Sequence, residues 1–149
     1  CIRDRRKSDA IKIYISNIMT QPGETTDFKV SDHLKVLIKY GGKNIVDYAI
    51  VNTGEITEEL KEKYKQENSK LVKVDEEEIN SLGIKIVGED LVKVQKGYIK
   101  HDPDKLAEVL VDTIMEKKLL FDKKKIIEYM YLSQRIKERV RGEKGDSSF

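Results

Sequence analysis

The run IVDYAIV, Ile45 to Val51, constrains the fold more than any other stretch of this chain. Its apolar residues do not alternate with polar ones, so neither face is written for water. A short, β-branched run of this kind suits a strand buried on both sides, as in a parallel sheet. Upstream, IKIYIS puts Ile11, Ile13 and Ile15 on one face and predicts a second strand over Ile11 to Ser16. Between the two lies VSDHLKVLIKYGG, a predicted helix. Ser31 is its expected N-cap, Asp32 sits in its first turn, and Gly41 ends it. Leu34, Leu37 and Ile38 share one face at helical spacing.

The same alternation continues downstream. TEELKEKYKQEN predicts a helix capped by Thr57, with acids first and lysines later, as the helix dipole prefers. KLVKV predicts a short strand. The acidic run from Asp75 to Glu78 opens a short helix that ends at Gly83. IKIVGEDLVKV predicts one or two strands with a bend at Gly88. In GYIKHDPDKLAEVLVDTIM, Asp102 caps a helix, Pro103 takes its first position, and Leu106, Val109, Leu110 and Ile114 form a buried stripe. A last helix is expected over about Lys123 to Arg139, followed by a disordered tail. Strands alternating with helices give an α/β fold, a Rossmann-like three-layer parallel sheet with right-handed crossovers. Ligands of such sheets bind beyond the carboxyl ends of the strands.

Composition narrows the function classes. The 149 residues carry 29 Lys+Arg against 27 Asp+Glu, a formal charge of +2. Balanced charge at 38% of all residues gives a salt-bridged surface and lacks the one-sided excess that nucleic acid would require. The lone cysteine, Cys1, leaves no internal disulfide, and two histidines without metal spacing give no zinc cluster. No apolar run reaches the roughly 18 residues of a membrane span, and no signal peptide is visible, so a cytoplasmic protein without membrane insertion is expected. The basic opening CIRDRRK reads as the tail of a helix whose beginning is absent.

Two strand ends carry neutral loops in this lysine-rich chain. The first holds Asn17, Thr20, Gln21, Pro22, Gly23 and Glu24, and the second Asn52, Thr53, Gly54 and Glu55. Amides, hydroxyls and a glycine without a cation can read a base, a ribose or a sugar, and glycine admits a ligand close to the backbone. Each loop also has a plain reading, with Pro22-Gly23 as a tight turn and the polar residues as caps. His33 falls in the first turn of its helix. Lys100 and His101 precede a helix start, where an anion would be favoured. Tyr64 is either a stacking platform for a planar ring or the core contact of its helix. No glycine-rich phosphate loop, nucleophile elbow or metal-spaced carboxylate set is present, so the residues alone establish no catalytic site.

At SNIMTQPGETTDFKVSDHLK the sequence resembles the bacterial gluconeogenesis factors, a family related to the 2-phospho-L-lactate transferases of archaea. The resemblance rests on Asn17, the unbroken Met19 to Thr25, Phe28, Asp32 and His33, with departures at Thr26 and Asp27. It continues through VDYAIVNTGEI, KYKQENSKLVKVD and GYIKHDPDKLAEVL. It implies that residues 1–118 are the C-terminal half of such a domain and that 119–149 add a helix and tail. It implies a non-catalytic regulator of central carbon metabolism and cell shape that binds a uridine-diphosphate sugar. On that resemblance Tyr64 lies near the uracil or sugar, and Lys100, where the family more often has Arg, pairs with the diphosphate. Asn17, Thr20, Gln21, Gly23, Glu24, Asn52, Gly54 and His101 complete the expected ligand set. No cofactor is implied on this branch. The transferase branch instead implies phospholactyl transfer from a nucleotide donor to a deazaflavin, with magnesium. A half sheet also implies self-association or pairing with the missing N-terminal half.

Overall fold

The computed structural model describes residues 2–119, 130–135 and 138. The chain divides into two compact units, Cys1–His101 and Asp102–Phe149. The first unit begins with α1 (Ile2–Lys7), followed by β1 (Ile13–Ile15), α2 (Val30–Gly41), β2 (Tyr48–Asn52), α3 (Glu58–Gln66), α4 (Glu76–Ser81), β3 (Lys85–Glu89), β4 (Val92–Gln95) and β5 (Tyr98–His101).

The apolar run at 45–51 is the centre of the sheet. Strands β1, β2 and β3 are parallel in the order β1-β2-β3, with Tyr14 beside Ala49 and Ala49 beside Ile86. Tyr48, Ala49, Ile50 and Val51 are all buried, as a strand covered on both faces requires. The aspartate that interrupts the run sets the register at its start. Lys12 N–H donates to the Asp47 carboxylate, Asp47 N–H donates to Lys12 C=O, and Lys85 N–H donates to Asp47 C=O. Asp47 thus ties the entry points of all three strands, to β1 through its side chain and N–H and to β3 through its backbone C=O.

On one side of the sheet, Ala49 and Val51 pack in a core with Val30 and Leu34 of α2, Val72, Ile79 of α4 and Ile84. Of the expected helical stripe, Leu34 is fully buried, Ile38 is half-buried, and Leu37 is 38% exposed. The expected Ser31 cap is corrected. The N-cap is Lys29, whose N–H is accepted by the Asp32 carboxylate. Ser31 is buried instead, and both its hydroxyl (2.6 Å) and its N–H (3.1 Å) donate to Asp75. The helix ends at Gly41, as expected, with Gly42 at φ +83 as its C-cap, and a Cβ on Gly41 would come within 2.6 Å of Ile45 Cγ1. Asp75 therefore joins α4 to α2 in addition to opening α4.

Two further expectations are corrected, and one strand was unforeseen. KLVKV forms no strand. Leu71 makes a single antiparallel bridge with Met19, while the N–H of Val72 donates to Ile18 C=O and the C=O of Lys73 accepts from Val30 N–H. Gly88 is no bend. It sits inside β3 opposite Val51, where a Cβ would come within 2.8 Å of Thr53 Cγ2. Tyr98 to His101, to which the sequence pattern assigned no strand, is β5, antiparallel to β4. Its two-residue turn, Lys96-Gly97, has φ of +53 and +74, the signature of a type I′ hairpin.

In the second unit, α5 (Pro103–Leu119) starts as expected. The Asp102 carboxylate accepts the N–H groups of Asp104 (3.0 Å) and Lys105 (3.4 Å). Leu106, Val109, Leu110 and Ile114 are half-buried rather than buried. Residues 130–135 are helical, and the rest of the expected helix from Lys123 to Arg139, with the tail, lies outside the described residues. No helix among the described residues is long and apolar enough to cross a membrane.

Candidate functional site

The neutral loop after β1 is held from both ends. Ser16 N–H donates to Ile50 C=O and so continues the β1–β2 pairing one step past the strand. Thr20 is then clamped to the segment after α3. Its N–H donates to Lys70 C=O, its hydroxyl accepts Lys70 N–H, and its C=O accepts the Ser69 hydroxyl. The tip is the tight turn that Pro22-Gly23 suggested. Gly23 has φ +80, and Gln21 C=O accepts Glu24 N–H at 3.2 Å, matching a type II turn. The Thr25 and Thr26 hydroxyls accept the N–H groups of Gln21 and Gly23 and fix the tip from within.

Helix α3 brings Tyr64 to the same place. The helix closes in a Schellman motif, with Asn68 at φ +55. Ser69 N–H donates to Tyr64 C=O, and Asn68 N–H donates to Lys65 C=O. Tyr64 is buried, and its hydroxyl accepts the N–H of Ile99 at 2.7 Å. From the preceding residue, Lys63 Nζ donates to Gly97 C=O at 2.7 Å and lies 4.1 Å from the Tyr98 ring centroid. These contacts dock the β4–β5 hairpin on α3. His101 anchors its far end, with Nε2 3.1 Å from Ser16 C=O. The carbonyl can only accept, so Nε2 carries the proton.

The result is a pocket of about 330 Å³ at the carboxyl end of β1. Six expected residues line it: Asn17, Thr20, Gln21, Tyr64, Lys100 and His101. Asn17, Gln21 and Lys100 are exposed, and Lys100 makes no ion pair among the described residues. Gly23 and Glu24 lie on the turn tip and are not among the lining residues. Nor are Asn52 and Gly54, which are used within their own loop. The Asn52 side-chain oxygen accepts from Gly54 and Leu91, its NH2 donates to Gly54 C=O, and a Cβ on Gly54 would collide with the Asp90 carboxylate. Sequence reasoning missed Glu67 and Ser69, which also line the pocket. The signal was present for Glu67, a carboxylate at a helix C-terminus.

His33 lies apart from this pocket. It packs edge-on to Phe28 at 5.2 Å and near Tyr14, and its Nε2 is buried without a hydrogen-bond partner among the described residues. Burial lowers its pKa below the usual 6.5, against a smaller upward pull from Asp32. A depressed histidine pKa favours the neutral form in the folded state. The stability it secures is therefore complete above about pH 6.5 and is lost as the pH falls through the folded value. Asp75 extends the same slope. Burial pushes its pKa up, but the hydrogen bonds from Ser31 outweigh it and hold the carboxyl below its usual range. Its contribution is lost only at stronger acidity. We expect the urea midpoint to fall between pH 7.5 and 5.5 and further below pH 4. In a His33→Phe variant the first drop should vanish and the second remain.

A family model described as 2-phospho-L-lactate transferase CofD matches residues 3–92. The chain belongs to this family. Within it, the relatives carry gluconeogenesis-factor names. A protein of Clostridium acetobutylicum is 51% identical over 138 residues, which is 93% of this chain and 31% of that protein. The gluconeogenesis factor of Bacillus subtilis is 38% identical over 110 residues, 74% of this chain and 35% of that protein. A crystal structure of a UPF0052 family member from Bacillus halodurans superposes with a TM-score of 0.70 at 34% identity, covering 72% of this chain and 35% of that one. The chain thus spans about a third of the length of the relatives it matches. The family match stops at residue 92, so Lys100 and His101 of β5 lie beyond it.

Proposed function

We propose that the pocket is part of a binding site for a nucleotide-diphosphate sugar, and that the protein acts as a non-catalytic regulator of central carbon metabolism and cell shape. One observation carries this reading. Residues distant in sequence, Asn17 to Gln21, Tyr64, and Lys100 with His101, meet on one pocket at the carboxyl end of a parallel strand. Its chemistry suits the ligand. Exposed amides at Asn17 and Gln21 offer both donors and acceptors to a base or sugar, and Lys100 offers a point charge to a phosphate. The pocket volume is at the low end of ligand sites, so it would hold one part of such a ligand.

Calorimetric titration of the full-length protein with uridine diphosphate N-acetylglucosamine tests the reading. Lys100→Ala is expected to weaken binding by roughly ten- to a hundredfold, the worth of a charge-assisted hydrogen bond. Lys100→Arg should tighten it, because the guanidinium fork can grip two phosphate oxygens. Unchanged affinity in both variants would sink the assignment.

The description of the matching family favours a second reading, phospholactyl transfer to a deazaflavin. Among the described residues, no group of three or more His, Cys, Asp or Glu side chains is placed to hold the magnesium that this chemistry implies. Product formation from a deazaflavin acceptor by the full-length protein would replace the regulatory reading with this one.

A further inference from the structure

The first and last turns of helix α3 obey the charge rule for helices, and its C-cap breaks it. Glu58 and Glu59 occupy its first turn, and Lys63 and Lys65 its last. Then Glu67, the C-cap, puts a carboxylate where the free carbonyls of the helix already gather negative charge. Its neighbours give no relief. Lys65 pairs with Glu62 and Lys70 with Asp27, while Glu67 makes no side-chain hydrogen bond or ion pair among the described residues. Yet Glu67 lines the pocket, together with Gln21, Lys100 and His101. A residue that breaks a local rule without a structural return, at the edge of a cavity, is placed there for something outside the fold.

We propose that Glu67 reads a pair of hydroxyl groups on the ligand and so sets the specificity of the pocket. The proposal rests on the nucleotide-sugar reading above. A carboxylate only accepts hydrogen bonds, and its two oxygens match two neighbouring hydroxyls, as found on a ribose or a pyranose. It repels a phosphate, whereas Lys100 attracts one. The pocket is therefore polarised, with a cation on β5 and an anion at the end of α3. A ligand anionic at one end and hydroxyl-rich at the other satisfies both. A purely anionic ligand satisfies Lys100 and is opposed by Glu67.

Glu67→Gln in the full-length protein tests this, with uridine diphosphate N-acetylglucosamine, uridine diphosphate and 2′-deoxyuridine diphosphate as titrants. The variant is expected to bind the sugar nucleotide about tenfold more weakly, the loss of a charge-assisted hydrogen bond. It should melt no lower than the parent, because an unfavourable helix-end charge has been removed. If the hydroxyls are the sugar's, uridine diphosphate alone binds the variant at least as tightly as the parent. If they are the ribose's, the variant weakens uridine diphosphate and leaves the 2′-deoxy compound unaffected. Equal or tighter binding of the sugar nucleotide by the variant overturns the role of Glu67 and leaves the pocket standing, since deleting a merely repulsive carboxylate helps an anion. No binding of any titrant by the parent overturns the nucleotide-sugar reading and this inference together.

Discussion

Leu34→Ala should cost about 2–5 kcal/mol of folding stability, whereas Leu37→Ala, one turn of α2 away, should cost under about 1 kcal/mol. The sequence writes the two leucines alike, on one helical face at i and i+3. The structure separates them. Leu34 is fully buried among Ala49 and Val51 of β2, Val72 and Ile79 of α4, and truncation there leaves a cavity that the sheet cannot collapse to fill. Leu37 is 38% exposed, and water replaces much of what alanine removes. For a unit of about this size each kcal/mol moves Tm by roughly 4–8 °C, so Leu34→Ala should lower the midpoint by roughly 10 °C or more. Thermal melts of the two variants side by side decide it. Equal shifts would mean that α2 does not face the sheet through Leu34.

That pair also shows what local pattern can and cannot reveal. The central strand was legible because burial on both faces leaves a continuous apolar run, a property of the segment itself. The capping of α2 was not, because Ser31 has the side chain of a cap but a stronger partner 44 positions away in Asp75. KLVKV has strand composition, yet its backbone groups are divided between the loop at 18–20 and Val30, so no ladder grows beyond one bridge. The β4–β5 hairpin was hidden by its turn. Lys96 takes a positive φ that asparagine or aspartate usually signals, and only Gly97 advertised it. At the site, the amides of Asn17 and Gln21 and the cation Lys100 were legible as neutral and cationic exceptions to their surroundings. Asn52 and Gly54 looked equally suited, but their groups turn out to be spent on their own loop. Side-chain type shows what a residue can bind, and only tertiary contacts show whether it is already bound.

Tyr64 is where fold and candidate site meet. The ring is buried as a core contact and also lines the pocket. Tyr64→Ala should therefore be costly, about 3–5 kcal/mol as for other buried aromatics, and should abolish ligand binding with it. That result alone cannot separate stacking from scaffolding. Tyr64→Phe does so, because it keeps the ring and removes only the oxygen that accepts Ile99 N–H at 2.7 Å. Ile99 precedes Lys100 on β5, so the hydroxyl fixes the strand that carries the cation. The expected loss in folding stability is about 1–2 kcal/mol, from leaving a strand N–H without its partner. The expected loss in affinity for a uridine-diphosphate sugar is roughly tenfold, and it should act through Lys100. Tyr64→Phe should then weaken the Lys100→Ala protein hardly at all, a coupling that a double-mutant cycle measures directly. Full affinity in Tyr64→Phe would make the ring alone the functional part. Additive losses would mean that Tyr64 and Lys100 meet the ligand independently, and that β5 is held well enough by Lys63 and His101 without the tyrosine hydroxyl.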